Sequence, residues 1–229
     1  MLERDKIRDV ILVTGKTGHG KSRWAGEAIK SRFDRVLVLD PVEQYDVDYM
    51  PFSEIVEKST SAPSSFFWGT SDIKAFRGMC RLAKAIGSCC ILIEEIDLFD
   101  QEDEAFSDLV FRGRHSGVSM LVVTQRPYRC SIHFRSQMSE LISFQQTEPR
   151  DIKWLKDISD SAIVVRDLQR EQGVGSQFFK WSVETGSTAH RLDYKTGKIF
   201  NYDKINLSEL SDRKNVLNEM IKKEYGKLF

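Results

Sequence analysis

The sequence lacks net charge and long apolar segments. Its 34 Lys and Arg residues balance its 34 Asp and Glu residues, so no overall field attracts a polyanion, and a site for one must come from local clustering. No apolar run approaches the ~20 residues that span a bilayer, and the charged residues 1–6 do not resemble a secretory signal peptide. We therefore expect a cytoplasmic protein with no membrane segment of its own.

Cysteine is scarce as well, and the four cysteines show no metal-ligand spacing. Cys89 and Cys90 are adjacent at the start of an apolar run, where buried thiols are expected, and this favours a reducing compartment. The sequence contains no internal repeat and no N-K-x-D motif of the kind with which GTPases recognise the base. Its content of 41% hydrophobic and 30% charged residues is ordinary for a globular protein.

The residues from Asp9 to Trp24 form the motif around which the chain is organised. A short apolar run, Val10–Val13, precedes the pattern G-x-x-x-x-G-K-S, and an amphipathic helix follows. This order of strand, glycine-rich turn and helix is typical of a phosphate-binding loop, or P-loop. Its glycines let successive N–H groups point at an anion, and the start of the helix adds a positive dipole end. We expect nucleotide contacts from Gly15, Lys16, Thr17, Gly18, His19, Gly20, Lys21, Ser22 and Arg23.

Two of these residues have specific expected roles. The ammonium group of Lys21 should reach the β- and γ-phosphates of ATP, and the Ser22 hydroxyl should bind Mg²⁺. His19 is expected to contribute through its backbone N–H. The motif therefore implies ATP and Mg²⁺ as ligands.

A second apolar run, Cys89–Ile93, leads directly into Glu94 and Glu95. In P-loop NTPases such a strand is expected beside the P-loop strand, with an acid at its end that holds Mg²⁺ directly or through water. That acid would be Glu94, and Glu95 would polarise the attacking water as general base. The alternative is that both glutamates begin a solvated loop. Asp97 and Asp100 are expected to be helix-start or surface acids.

A third run, Val118–Thr124, ends in Gln125 at the same predicted sheet edge. A neutral amide there can bind the γ-phosphate or the attacking water and so sense hydrolysis. Taken alone, the glutamine would more simply cap backbone groups at the strand end.

The segment from Arg114 to Pro127, R-H-S-G-V-S-M-L-V-V-T-Q-R-P, resembles the FtsK–HerA superfamily of DNA-pumping ATPases. Together with G-K-T-G-H-G-K-S and I-L-I-E-E, it completes three motifs in the expected order over Val10 to about Asp157. The size and the segment Glu148–Leu155 are most similar to the viral genome-packaging branch. Glu94 departs from the family pattern, where Asp is usual, and its longer side chain should reach Mg²⁺ through water.

The resemblance implies a RecA-like core in a homo-oligomeric ring, a pentamer or hexamer, that translocates double-stranded DNA. Packaging into a preformed capsid would add a capsid or portal vertex as partner, and a location in the host cytoplasm or with the virion. The implied site residues are Lys21 and Ser22 for phosphate and Mg²⁺, Glu94 and Glu95 for metal and water, and Gln125 as sensor. Arg114 matches the arginine that reaches a neighbouring subunit's nucleotide, and Arg112 is the alternative finger.

Other functions remain open at this point. Within the same class, the chain could be an assembly or secretion ATPase of the filamentous-phage type, or a conjugation ATPase. From a different class, it could be a nucleotide-binding switch or a small-molecule kinase, although no arginine-rich lid is evident. Between residues 112 and 139 the chain has five arginines, two histidines and no acid. These arginines could serve phosphate contacts, inter-subunit fingers or ordinary solvation.

The alternation of apolar runs and helical patterns predicts an α/β fold with a twisted, mainly parallel sheet flanked by helices. The runs Val10–Val13 and Arg35–Asp40 are expected to form a parallel βαβ pair. We expect one P-loop ATPase domain over residues 1–229, with a core at about 8–158 and an appendage at about 159–229. The appendage should contain β segments at Phe178–Glu184 and Arg191–Asn201, the second folded as a hairpin, and a helix at Leu207–Lys223.

Overall fold

A computed structural model describes residues 8–61 and 63–201 of the chain. The helix predicted over Leu207–Lys223 lies outside these residues. The strands are β1 (Val10–Thr14), β2 (Arg35–Leu39), β3 (Asp48–Tyr49), β4 (Phe66–Thr70), β5 (Cys90–Ile93), β6 (Ser119–Thr124), β7 (Glu140–Ser143), β8 (Arg170–Glu171), β9 (Gly175–Ser182), β10 (Gly186–Asp193) and β11 (Ile199–Asn201). The α-helices are α1 (Lys21–Arg32), α2 (Phe52–Ser59), α3 (Phe76–Ile86), α4 (Glu104–Arg112), α5 (Ile132–Gln137) and α6 (Pro149–Ile158).

The described strands form one sheet in the order β11-β10-β9-β7-β1-β6-β5-β2-β4-β3, with β8 paired to β9. Along the part of the sheet that runs β7-β1-β6-β5-β2-β4-β3, every pair of neighbouring strands is parallel. The pairs β7–β9, β9–β10, β10–β11 and β8–β9 are antiparallel. This confirms the predicted α/β class, with a mainly parallel sheet and antiparallel additions toward the C-terminus.

Two expected strand pairings are wrong. The strand that ends at Glu94 does not lie beside β1, because β6 lies between them and pairs with both. Likewise β2 does not pair with β1, since β5 and β6 separate the two strands. A crossover helix fixes strands as parallel but does not fix how many strands are later inserted between them.

Alternate residues of the central strands pack on opposite faces of the sheet. On one face Ile11 and Val13 pack with α1, including the buried Trp24. On the other face Val10 and Leu12 pack with residues of α2 to α6. Because helices cover both faces, the parallel strands read in sequence as continuous apolar runs rather than alternating ones.

The C-terminal half contains elements that the sequence pattern did not predict. Helix α5 is short and is preceded by its N-cap, Ser131, whose hydroxyl accepts a hydrogen bond from the Phe134 N–H at 3.2 Å. Strand β10 begins at Gly186 and pairs with β9, although its first residues, G-S-T-A-H, lack an apolar pattern.

The hairpin predicted around Lys195–Gly197 is confirmed as the connection between β10 and β11. No helix among the described residues is long and apolar enough to cross a membrane.

Candidate active site

The P-loop occupies the carboxyl edge of the sheet, between β1 and α1. Gly15 has a φ angle of +143°, and a Cβ atom at this position would lie 2.6 Å from the Cβ of Phe144. Only glycine fits this contact with the segment after β7. The Lys16 N–H donates to the Gln145 carbonyl at 2.8 Å, so the start of the P-loop is held by a neighbouring strand end.

Ser22 and Glu94 meet at this edge. The Ser22 hydroxyl donates to Oε1 of Glu94 at 3.2 Å, and the Tyr45 hydroxyl donates to Oε2 of the same carboxylate. Tyr45 follows β2 and is only 6% exposed, and Glu94 is 2% exposed. The predicted pair is therefore brought together, and a buried tyrosine that sequence reasoning missed completes the cluster.

The donor set fits Mg²⁺. A serine hydroxyl and a carboxylate are hard oxygen ligands, which Mg²⁺ prefers, and it commonly uses one or two of them together with substrate phosphates and waters. Burial raises the pKa of Glu94 to about 7, although the hydrogen bonds from Tyr45 and Ser22 act against this shift. A buried carboxylate of this kind is stabilised by a cation. Among residues 8–61 and 63–201, no group of three or more His, Cys, Asp or Glu side chains could hold a metal.

Lys21 is buried in the P-loop with 6% exposure. Its Nζ lies 3.5 Å from the Lys16 carbonyl oxygen. Burial lowers the pKa of this ammonium group, and the charges of Glu95 and Glu94 oppose the shift. The charges of both acids therefore act on the ammonium group of Lys21, which lies against the P-loop backbone.

Glu95, Gln125 and Thr17 form a continuous chain of hydrogen bonds. Nε2 of Gln125 donates to Oε1 of Glu95 at 2.8 Å, and Oε1 of Gln125 accepts from the Thr17 hydroxyl at 2.8 Å. Glu95 has a φ angle of +51°, a left-handed conformation that is unusual for glutamate and that often occurs at functional sites. Because β6 lies between β1 and β5, Gln125 bridges the P-loop and the predicted general base.

Other polar residues at this edge were not predicted. Gln146 donates from Nε2 to the Thr14 hydroxyl at 2.8 Å and is 3% exposed. Asp97, expected as a helix-start or surface acid, lies in the first turn of a short 3-10 helix, Ile96–Leu98, but is half-buried, and its Oδ2 accepts from the Thr124 hydroxyl at 2.5 Å. The available signal was that Gln146 and Asp97 follow apolar strands, β7 and β5, within a few positions.

The side chain of Arg23 contacts the C-terminal hairpin instead of the P-loop. Its Nη2 donates to the Tyr194 carbonyl, and its guanidinium lies 5.5 Å from the centroid of the Tyr194 ring. The nucleotide contact predicted for Arg23 therefore rests on its backbone N–H.

Arg114 lies at the opposite edge of the sheet, in a 3-10 helix at Gly113–Ser116 that precedes β6. It is exposed, and the length of β6 separates it from the edge of the sheet at which the P-loop of the same chain lies. Arg112 is also exposed, but its Nη1 lies 3.3 Å from Oδ1 of Asp108. The structure thus does not bring the predicted finger to the other site residues of the same chain.

Two arginines of the basic segment have structural roles. Nε of Arg126 donates at 2.8 Å to Oδ2 of Asp151, which is fully buried. The guanidinium of Arg135 lies 5.4 Å from the Trp154 ring centroid. Arg129 is exposed. The sequence left open whether these arginines contact phosphates, act as inter-subunit fingers or are solvated. In the structure Arg126 and Arg135 form contacts within the chain.

No protein-family model and no curated protein sequence matches this chain. Solved structures do match. The genome packaging NTPase B204 from Sulfolobus turreted icosahedral virus 2, in complex with AMPPCP, has a TM-score of 0.64 at 19% identity, over 82% of this chain and 98% of that one. B204 of Sulfolobus turreted icosahedral virus, described as a DNA-packaging ATPase, has a TM-score of 0.59 at 19% identity, over 80% and 96%.

A more distant match is the cytoplasmic domain of the type VII secretion ATPase EccC of Thermomonospora curvata. Its TM-score is 0.51 at 11% identity, over 82% of this chain and 24% of that one. Similarity at this level of identity establishes the fold. The chain therefore has the RecA-like P-loop NTPase fold of the B204 genome-packaging NTPases, in agreement with its resemblance to the FtsK–HerA superfamily.

Proposed function

We propose that residues 1–229 form a single Mg²⁺-dependent ATPase domain that translocates double-stranded DNA and packages a viral genome into a preformed capsid. The observation that carries the ATPase proposal is the convergence of Ser22 with Glu94, and of Thr17 with Gln125 and Glu95, beside one P-loop. The packaging proposal is supported by the resemblance to the FtsK–HerA superfamily and by the fold shared with B204.

We assign each residue a role in hydrolysis, which the geometry supports. Lys21 and the P-loop N–H groups bind the β- and γ-phosphates and offset their charge. Ser22 and Glu94 would hold Mg²⁺, which supplies further neutralisation of phosphate charge when bound. Glu95 accepts a proton from the attacking water, and Gln125 orients the Glu95 carboxylate through its amide.

The test measures phosphate release by the purified protein with Mg²⁺ and ATP, with and without double-stranded DNA. We expect hydrolysis that DNA stimulates, and its loss in Lys21→Ala. Native mass measurement with an ATP analogue and DNA should show a closed ring of five or six copies. Wild-type turnover in Lys21→Ala would contradict the ATPase proposal.

A second candidate is a secretion or assembly ATPase, which the similarity to EccC favours. In that case hydrolysis and ring formation would persist, but DNA would neither bind nor stimulate turnover. A kinase would instead transfer phosphate to a small molecule, so ATP consumption would exceed the release of inorganic phosphate.

We propose further that Arg114 acts in trans. It is exposed and stands before β6, at the edge opposite its own P-loop, and no ion pair of Arg114 occurs within the described part of the chain. Arg112, the alternative, is paired with Asp108. A guanidinium delivered to a neighbour's γ-phosphate contributes about 10³–10⁵ in rate in well-studied cases.

The trans assignment is tested by mixing two inactive variants, Lys21→Ala and Arg114→Ala. Mixed rings contain interfaces at which an intact P-loop meets an intact finger, so part of the activity should return. Arg112→Ala serves as the parallel test of the alternative finger. If mixed assembly is confirmed and nothing returns, while Arg114→Ala alone hydrolyses ATP normally, the assignment is wrong.

A further inference from the structure

Arg170 brings a guanidinium from the C-terminal part of the chain to the P-loop. Strand β8 pairs with β9 through Arg170–Ser176 and Glu171–Gly175, which fixes the backbone of Arg170 beside the sheet. A Cβ atom added at Gly18 would lie 2.8 Å from Nη1 of Arg170. Gly18 also has a φ angle of +77°, so the close approach of Arg170 depends on a position that carries no side chain.

The surroundings of Arg170 are positively charged. Burial, and next the charge of Arg170, hold the pKa of His19 below its ordinary value, and the P-loop lysines act in the same direction. The neighbouring Glu171 does not neutralise Arg170, because its carboxylate binds Nη2 of Arg191. Within residues 8–61 and 63–201, Arg170 forms no ion pair.

Like charges held together at one loop repel each other, and a bound anion removes that repulsion. A guanidinium can also form two parallel hydrogen bonds to phosphate oxygens, which an ammonium group cannot match. A cavity opens beside the cluster, and its lining is mostly polar: His19, Gln145, Leu168, Gln169, Arg170 and Gln172. The space next to Arg170 is therefore open to a ligand that the P-loop holds.

We propose that Arg170 binds a phosphate group of the nucleotide held by the P-loop of its own subunit. This inference rests on the proposed ATPase function and adds a nucleotide-binding residue from the C-terminal part of the chain. Arg170 acts in cis, whereas Arg114 is assigned to the neighbouring subunit. In this proposal Arg170 contributes to nucleotide binding within a subunit, and Arg114 contributes to hydrolysis in the neighbouring subunit of the ring.

The test measures dissociation constants of a non-hydrolysable ATP analogue and of AMP at a protein concentration where native mass measurement shows monomers. Arg170→Ala should weaken binding of the ATP analogue by about 10- to 100-fold, the effect of losing a hydrogen bond to a charged group. Arg170→Lys should recover part of this loss. Arg166→Ala is the matched control, because Arg166 is an exposed arginine that ends a 3-10 helix four residues earlier.

Three further readouts separate binding from structure and from the ATPase proposal. Thermal unfolding should be unchanged in Arg170→Ala, and Arg170→Gln, which keeps a polar side chain, replaces it if the alanine variant is unstable. At an ATP concentration below the dissociation constant of Arg170→Ala, mixing this variant with Lys21→Ala should restore no activity, since neither subunit has a complete site. If Lys21→Ala loses the ATP analogue while Arg170→Ala and Arg170→Gln bind it like the wild type, the inference is overturned and the ATPase proposal stands. If the wild type does not bind the analogue, both are overturned.

Discussion

Replacing Tyr45 by phenylalanine removes one oxygen atom from a buried part of the candidate site. The hydroxyl donates to Oε2 of Glu94, and the ring packs against α1, where a Cβ atom at Gly26 would lie 3.6 Å from it. Phenylalanine keeps the ring contacts. In the variant the Glu94 carboxylate retains the Ser22 hydroxyl as donor but loses the tyrosine.

The magnitude depends on the charge of Glu94. A hydrogen bond to a charged group contributes about 1.5–3 kcal/mol, and one between neutral groups about 0.5–1.5 kcal/mol. Burial raises the pKa of Glu94 to about 7, above its unfolded value, so the acid is mostly neutral at pH 6 and mostly ionised at pH 8.5. Burial likewise raises the pKa of Tyr45 well above its ordinary value, so the hydroxyl remains a donor. The variant should therefore lose about 1.5–3 kcal/mol of stability at pH 8.5 and less at pH 6.

The sign of the pH dependence follows from the same shift. A carboxyl group whose folded pKa is raised contributes stability that is complete below its unfolded pKa and is lost as the pH rises through the folded value. The metal-free wild type should lose stability as the pH rises through about 7, and Tyr45→Phe should lose more. Removal of the tyrosine hydroxyl raises the pKa of Glu94 further and so disfavours the ionised form.

The assay is denaturant unfolding of the metal-free protein at pH 6 and pH 8.5, together with titration of Mg²⁺ in the presence of an ATP analogue. Tyr49→Phe is the comparison variant, because its hydroxyl donates to Asp40 at 2.9 Å and accepts from the Tyr45 N–H at 3.2 Å, whereas the hydroxyl donors to Glu94 are Ser22 and Tyr45. We expect weaker Mg²⁺ binding only in Tyr45→Phe. If both variants lose the same free energy at both pH values, the account of Glu94 and Tyr45 is wrong.

Three further predictions follow from the site and the core. Lys21→Ala should abolish ATP hydrolysis and weaken nucleotide binding in an equilibrium assay, because it removes the cation beneath the phosphates; unchanged affinity would contradict this role. Glu95→Gln should bind ATP like the wild type but turn over about 10²–10⁴-fold more slowly, since it removes the proposed general base. Single-turnover kinetics check this, and unchanged turnover would place the base elsewhere, with Glu94 tested first. Asp151→Ala should lower the free energy of unfolding by about 1–3 kcal/mol, because Arg126 and the Tyr128 N–H lose a buried acceptor. Denaturant titration measures this loss. Asp157→Ala, on the exposed side of the same helix, should have little effect in that titration.

The P-loop and the acids after β5 could be predicted because their chemistry is local in sequence. A glycine pattern between an apolar run and a helix has few structural solutions. The same holds for Glu94 and Glu95, which follow a strand without interruption. The fold class was likewise predictable, since apolar runs alternating with helical patterns are typical of a parallel sheet covered on both faces.

The residues that sequence reasoning missed depend on contacts between distant parts of the chain. Tyr45 meets Glu94 across 49 positions, and Gln146 meets Thr14 across 132. Tyr45 belongs to no local motif, and the position of Gln146 shortly after an apolar strand does not reveal its partner, because a tyrosine or glutamine in a loop is usually a surface residue. The strand order was missed for a similar reason: the helical crossover fixes direction but leaves the neighbour open, so β6 between β1 and β5 required the three-dimensional arrangement.

Strand β6 lies between two residues with proposed roles in hydrolysis, the sensor Gln125 and the finger Arg114. This strand is fully buried along its six residues, Ser119–Thr124, and so spans roughly 20 Å as a rigid element. Gln125 follows its carboxyl end and contacts Thr17 of the P-loop. The Arg114 segment precedes its amino end and is joined to it by the hydrogen bond from the Val118 N–H to the Gly113 carbonyl at 2.9 Å. In the proposed ring, one buried strand would therefore connect the sensor of a subunit's own nucleotide with the finger that it presents to its neighbour.

A β5 strand beside β1, as expected from the sequence, would have placed Gln125 outside the pair of strands that it joins. The inserted strand is thus what allows a single glutamine to contact both the P-loop and the proposed general base.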